Sequence, residues 1–176
     1  LQQRDLSKTL RIIAEQGHNG FYTGKIADLI VKTMEKYNGL ITHKDLANYK
    51  AVLRPPVMGT YRGYGIVSMG PSSSGGVALI QLLNILERYD ISWLGWNSSE
   101  TIHLITEAER RVYADRAEYL GDPDFNNIPI EQLISKEYAD RRASTINRFY
   151  ATPSDQVSYG RIRGSRPESE ETTHFS

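Results

Sequence analysis

Apolar residues recur at helical spacing in several stretches of this chain. Over 5–16, Leu6, Leu10, Ile13 and Ala14 share one side and Gly17 is a natural stop, which predicts a helix. Phe21-Tyr22-Thr23-Gly24 reads as a connection, with Thr23 as N-cap of a second helix over 25–37. That helix puts Ile26, Leu29, Ile30, Thr33, Met34 and Tyr37 on one side, and Asn38-Gly39 closes it with a left-handed cap. Thr42 is placed to cap a short turn through Asp45, Leu46 and Tyr49.

Pro55-Pro56 breaks any helix, and the period changes after it. Residues 57–69 predict two short strands turning at Arg62-Gly63. A Gly/Ser loop, 70–76, leads into a helix over 77–89, apolar on nearly every face and so expected between layers. Asn97-Ser98-Ser99-Glu100 opens a longer helix to about residue 120, with Ile102, Ile105, Ala108, Val112 and Tyr119 as its inner stripe. Gly121-Asp122-Pro123 ends it. Residues 130–134 predict a helical turn, and Ser135 caps a further helix to about 147. Residues 1–150 thus form a helix-rich region. Residues 151–171 turn polar, with Pro153 and Pro167, and are expected to be a flexible linker. Residues 172–176 resume strand-forming sequence.

Composition narrows the class of protein. The 176 residues are 39% hydrophobic and 24% charged, as in globular chains. Lys plus Arg and Asp plus Glu each number 21, so no basic excess points to nucleic acid or an anionic membrane. Cys is absent, which removes disulfides, thiolate metal sites and a Cys nucleophile. No apolar run approaches the roughly 20 residues of a membrane span. The chain opens Leu1-Gln2-Gln3 and closes within strand-forming sequence, so it is expected to be a piece of a larger polypeptide.

Candidate chemistry is sparse. The glycines Gly70 and Gly75 have P-loop spacing, but Gly76-Val77 stands where that loop needs Lys and Ser or Thr. A nucleophile elbow would need Gly-x-Ser-x-Gly, and Gly70-Pro71-Ser72-Ser73-Ser74 lacks the last glycine. A tight turn with an N-cap accounts for the loop. His18, His43, His103 and His174 show no metal-ligand spacing, and no metal or cofactor is expected. Asp115, Glu118, Asp122 and Asp124 interleave with Arg110, Arg111 and Arg116, which reads first as ion pairs and second as a carboxylate pair for catalysis. Asn97-Ser98-Ser99 is both a glycosylation acceptor and a helix cap.

Taken together, collinear motifs resemble the gamma-glutamyltranspeptidase (glutathione hydrolase) family, of bacterial type. Phe21-Tyr22-Thr23-Gly24-Lys25-Ile26-Ala27 is similar to its "FY.G.IA", and Gly39-Leu40-Ile41-Thr42 with Asp45-Leu46-Ala47-Asn48-Tyr49 to "GG.IT..DLA.Y". Tyr61-Arg62-Gly63-Tyr64, Pro71-Ser72-Ser73-Ser74-Gly75-Gly76 and Glu100-Thr101-Ile102-His103 follow in order. So do Tyr113-Ala114-Asp115-Arg116 and Leu120-Gly121-Asp122-Pro123. Thr172-Thr173-His174-Phe175-Ser176 resembles the family's "TTH(Y/F)S" junction. Gly70-Pro71-Ser72 departs from Pro-Pro-Ser, and Asn38-Gly39 from Gly-Gly.

The resemblance implies an α/β (α+β) chain, a fragment of a four-layer α/β/β/α N-terminal nucleophile hydrolase sandwich. It implies an inactive precursor that cuts itself between Glu171 and Thr172 into a large and a small subunit. This chain would then be the C-terminal half of the large subunit plus five residues of the small one. Thr172 would be the catalytic nucleophile, forming a γ-glutamyl ester with a substrate such as glutathione. Thr173 would be structural, and the Ser/Gly loop is carried over as a structural family feature. The implied partners are a small γ-glutamyl substrate and the small subunit of the same precursor, in a secreted or periplasmic enzyme. The family's remaining site residues fall outside these positions, so the chain alone is expected to lack transpeptidase activity. Related cephalosporin acylases and poly-γ-glutamate depolymerases share the nucleophile, and a non-catalytic scaffold subunit is the reading from another class.

Overall fold

The computed structural model of the chain describes residues 2–162, in two compact units divided after Leu53. The first unit is helical. It holds α1 (Arg4–Gln16), α2 (His18–Tyr22), α3 (Gly24–Lys36) and α4 (His43–Asn48). The stretch expected to be a connection, Phe21-Tyr22, instead completes α2, because Gly17 at φ +59° ends α1 and the chain re-enters helix at once. Gly20 lets α2 approach α1: a Cβ there would lie 2.6 Å from the Ile12 carbonyl oxygen. Thr23 is the N-cap of α3 by position, but its hydroxyl donates back to the Asn19 carbonyl at 2.7 Å. Asn38 takes φ +56° and Gly39 N–H donates to Met34 O at 2.7 Å, the left-handed closure expected. Thr42 and Asp45 form a reciprocal capping box. Ala27, Val31 and Leu46 form this unit's core, with Tyr22 stacked between His18 and Tyr49. Leu6 and Leu10, the expected inner face of α1, are about half exposed.

The second unit begins with an antiparallel hairpin, β1 (Val57–Tyr61) and β2 (Tyr64–Ser68), in register from Val57↔Ser68 to Tyr61↔Tyr64. Arg62 and Gly63 both have positive φ (49° and 84°), the tight turn whose twist matches the strands. Then follow α5 (Gly75–Leu86), α6 (Ser99–Tyr119), α7 (Ile130–Leu133) and α8 (Lys136–Ala143). Ser98 and Ser135 cap α6 and α8 through their hydroxyls, as the sequence suggested.

Helix α5 is the centre of the unit. It packs on the hairpin on one side and on α6 and α8 on others. Gly59 permits the first contact, since a Cβ there would lie 2.5 Å from Ile80 Cγ2. Val77 and Ile80 join Val57, Leu120, Leu133, Tyr138 and Ile162 in one apolar cluster. Ile85 and Leu86 join Ala108, Val112, Ala139 and Ala143 in the next. Each large side chain so buried contributes about 1.5–3 kcal/mol. Lys136 ties the hairpin to α5, donating to Thr60 O at 2.8 Å and pairing with Glu87, which also accepts from Arg62 N–H.

Of the expected inner stripe of α6, Ala108 and Val112 are buried and Ile105 and Tyr119 partly so, but Ile102 is 52% exposed, and Leu104, Glu107, Arg111 and Asp115 are buried as well. The buried face therefore extends round the helix beyond that stripe and includes charge. Helix α8 stops at Ala143, short of the expected 147, and Ser144 to Asn147 lead out by turns. Of the stretch expected to be a flexible linker, residues 151–162 are described; they contain one short 3-10 turn (Ser154–Gln156) and are fastened to α6 as set out below. Residues 163–176 lie outside the described residues.

Candidate functional site

The junction Glu171–Thr172 and the neighbouring Thr173 and His174 lie outside the described residues. The structure does describe the Gly/Ser loop, the other histidines, the acidic cluster and the segment that runs toward the junction.

The Gly/Ser loop is built for packing. A Cβ on Gly76 would sit 2.1 Å from the Met69 carbonyl oxygen, so only glycine fits where α5 passes the end of β2. Ser73 Oγ accepts from Gly75 N–H at 3.3 Å, and Ser74 Oγ from Arg116 Nε at 2.9 Å. Each described histidine has a local partner: His18 with Tyr49 O, His43 with Asp28, His103 with Asn147 O. Among the described residues no three His, Cys, Asp or Glu side chains gather as a metal would require.

The acidic cluster separates into unlike parts. Asp122 and Asp124 are at the surface and hold Arg54, with Arg54–Asp124 contacts of 2.6 and 3.0 Å. Asp115 is fully buried. It pairs with Arg142 Nε at 3.0 Å, accepts from Gly160 N–H at 2.7 Å and accepts from the Gln81 amide. Burial pushes its carboxyl above the ordinary range, against the pull of Arg142, Gly160 N–H and Gln81. Tyr138 packs beside it, and burial there, with the neighbouring Asp115 charge, pushes the phenol strongly up.

One turn pair earlier on α6, Glu107 is equally buried. Its Oε2 accepts from Arg111 Nη1 at 2.8 Å and from the Thr152 hydroxyl at 2.6 Å, and its Oε1 from Thr152 N–H at 2.9 Å. Burial raises this carboxyl, but the bonds from Thr152 and Arg111 together outweigh it, so Glu107 is held below the usual carboxylate range. Arg111 also donates to Thr145 Oγ1 and O, and Arg142 Nη2 to Arg111 O. Arg110 Nη1 reaches Thr152 O at 2.8 Å, and Tyr119 OH donates to Gly160 O at 2.7 Å. A cavity of about 440 Å³ lies alongside, lined among others by Arg111, Tyr138, Arg142, Thr152 and Gly160.

This network has every oxygen of both carboxylates committed to donors. Of the cluster expected from the sequence, Asp115 is thus committed to donors on both oxygens and Asp122 and Asp124 hold Arg54, which bears out the ion-pair reading for these three. What the network does is hold backbone: Thr152 and Gly160 are bound through their N–H groups. The sequence carried a signal for it. Residues 107, 111 and 115 follow at intervals of four, on the same side of α6 as Leu104, Ala108 and Val112. Polar residues on an apolar stripe are the mark of a buried network. Gln81, Arg142 and Gly160, supplied by other parts of the chain, gave no such signal.

The hairpin with helices packed on one face, and glycine-mediated contact between them, is a mixed α/β fragment of the N-terminal nucleophile hydrolase fold. The profile of the family described as Gamma-glutamyltranspeptidase matches residues 1–176, and the chain belongs to that family. It is 47% identical over 176 residues to the Escherichia coli (strain K12) glutathione hydrolase proenzyme, covering 100% of this chain and 30% of that protein. The Helicobacter pylori gamma-glutamyltranspeptidase crystal structure superposes with a TM-score of 0.80 at 48% identity, covering 96% of this chain and 48% of that one. The acylase ACY 1 proenzyme of Pseudomonas sp. (strain SE83) is 41% identical over 100% of this chain and 30% of its own. The chain thus spans about 30% of the length of these curated relatives. No helix among the described residues is long and apolar enough to cross a membrane.

Proposed function

We propose that this chain is the part of a gamma-glutamyltransferase and glutathione hydrolase precursor that carries the self-processing junction. The observation that supports it is the family match over residues 1–176, a span that includes Thr172-Thr173-His174. In this reading the Thr172 hydroxyl attacks the Glu171 carbonyl. The peptide bond to the Thr172 nitrogen breaks, that nitrogen takes the proton, and the Glu171 acyl group passes to oxygen as an ester. Water hydrolyses the ester, which leaves Glu171 as a new carboxylate and Thr172 with a free α-amine and hydroxyl.

That amine is the base the hydroxyl lacked. Its ordinary pKa of about 7.7–8.0 leaves an unprotonated fraction at neutral pH, within reach of the hydroxyl on the same residue. The activated Thr172 oxygen then attacks the γ-carbonyl of a γ-glutamyl amide such as glutathione, expelling the amine and leaving a γ-glutamyl ester. Water completes hydrolysis, and an amino acid or dipeptide amine completes transfer. The partner is the small subunit beginning at Thr172, and the compartment of such an enzyme is periplasmic or extracellular.

The test is intact mass and N-terminal sequencing of the full precursor after incubation, beside its Thr172→Ala variant. A new chain beginning Thr172-Thr173-His174, absent from the variant, is the expected result. A folded precursor that stays whole would refute the reading and favour a scaffold subunit. The likeness to an acylase proenzyme favours a second reading, a related amide hydrolase. Turnover of glutathione, glutaryl cephalosporin and poly-γ-glutamate by the full protein separates the two.

A further inference from the structure

The cavity beside the buried network is lined by arginine. Helix α8 supplies Arg141 and Arg142, α6 supplies Arg111, and the segment after residue 150 supplies Arg161. Among the described residues that line it there is no Asp or Glu. Its volume of about 440 Å³ lies in the range of small-molecule sites.

The four guanidinium groups differ in how far they are committed. Arg111 is fully engaged, since Nε and Nη2 donate to Thr145 and Nη1 to Glu107. Arg142 is not. Its Nε faces Asp115 at 3.0 Å and its Nη2 donates to Arg111 O, but Nη1 has no partner among the described residues. The side chain is nevertheless only 7% exposed. A donor so enclosed costs free energy unless an acceptor reaches it. Arg141 is half exposed: its Nη1 pairs with Glu137 at 2.8 Å and its guanidinium lies 5.3 Å from the centre of the Tyr138 ring, while Nη2 has no bond among the described residues. Arg161 is exposed and has no carboxylate partner among the described residues.

The charges lead to the same place. Glu107, Asp115 and Glu137 stand behind Arg111, Arg142 and Arg141, which leaves Arg161 uncompensated and positive charge in excess. Ser158 and Gln156 add a hydroxyl and an amide whose side chains have no partner among the described residues. A water would satisfy Arg142 Nη1 but would leave the excess charge in place. An oxyanion satisfies both, and the planar fork of a guanidinium matches the oxygen pairs of carboxylate and phosphate. We propose that this cavity is a binding site for a small oxyanion, a phosphate or a carboxylate, held by Arg142 from within and by Arg141 and Arg161 from the rim.

The test uses the full Thr172→Ala precursor, a single chain whether or not the wild type processes itself. Phenylglyoxal, which modifies accessible arginines, is applied in sodium phosphate, sodium acetate or sodium chloride at equal ionic strength, and each arginine is followed by peptide mass mapping. Titration of the protection gives a Kd for each anion. At ten times that Kd, modification of Arg141 and Arg161 should slow about tenfold. Arg11, exposed and outside the cavity, should react as before. Protection by phosphate alone, by acetate alone or by both assigns the class of oxyanion. Arg161→Gln breaks no ion pair among the described residues and should leave the fold intact. It should raise the Kd, read from protection of Arg141, about tenfold or more for the lost charge-assisted bond. Equal protection by chloride, no protection by either oxyanion, or an Arg161→Gln variant that binds as tightly as its parent would overturn the proposal.

Discussion

Replacing Asp115 by Asn tests the central ion pair of the second unit. The carboxylate is fully buried, Arg142 opposite is nearly so, and the contact is 3.0 Å. Asparagine can still accept from Gly160 N–H, but its amide then faces the Gln81 amide and the Arg142 guanidinium, donor against donor. Removing one partner of a buried pair costs about 3–5 kcal/mol, most of it the charge left without compensation. Arg142→Met strands Asp115 in the same way and should cost a similar amount. If the cost is uncompensated charge, the two losses overlap. The double variant should then be about 2–3 kcal/mol more stable than the sum of the single effects allows. The assay is urea unfolding of the Thr172→Ala precursor and its three derivatives. With a slope of about 2 kcal/mol per molar urea, each single change should lower the midpoint by about 1.5–2.5 M. Strictly additive effects, or a single loss below about 1 kcal/mol, would refute the account of a buried pair sustained by mutual neutralisation.

Three further outcomes follow from the structure. Gly76→Ala would press a Cβ against the Met69 backbone at 2.1 Å from its oxygen, and should cost about 3 kcal/mol or more in the same urea experiment. Gly65→Ala, where a Cβ meets nothing within 4 Å, should stay within about 0.5 kcal/mol. Glu107 has its pKa depressed in the folded state, so its contribution is present above its unfolded pKa and lost as pH falls through the folded value. The Tm difference between the Thr172→Ala precursor and its Glu107→Gln derivative should accordingly be full at neutral pH and shrink below about pH 4. A difference that grows toward acid would reverse the assignment.

Local order in this chain was legible wherever neighbours in sequence decide it. The capping residues Thr42, Ser98 and Ser135, the left-handed closure at Asn38-Gly39 and the hairpin turn at Arg62-Gly63 act within four or five residues, and all were readable. So was the burial of most of α5, because its apolar residues cover most of its surface. The missed helix α2 is the exception, five residues whose Gly20 serves a contact with α1 and not a turn.

The sequence by itself determined the longer helices and the hairpin, and the order of motifs from Phe21 to Ser176 that marks the family. Periodicity, caps and turns are local physics, and motif order is linear by nature. Only the tertiary structure decided which charged residues of α6 are buried and what they hold. Spacing put Glu107, Arg111 and Asp115 on one side of a helix, but their partners Thr152, Thr145, Arg142 and Gly160 come from more than 25 residues away. A buried carboxylate is tolerable only where donors converge on it, and that convergence exists only once the chain has closed on itself. The polar stretch after residue 150 shows the same division. Its composition matches a linker, yet residues 152–160 are held in place by carboxylates that the linear sequence sets some 45 positions earlier.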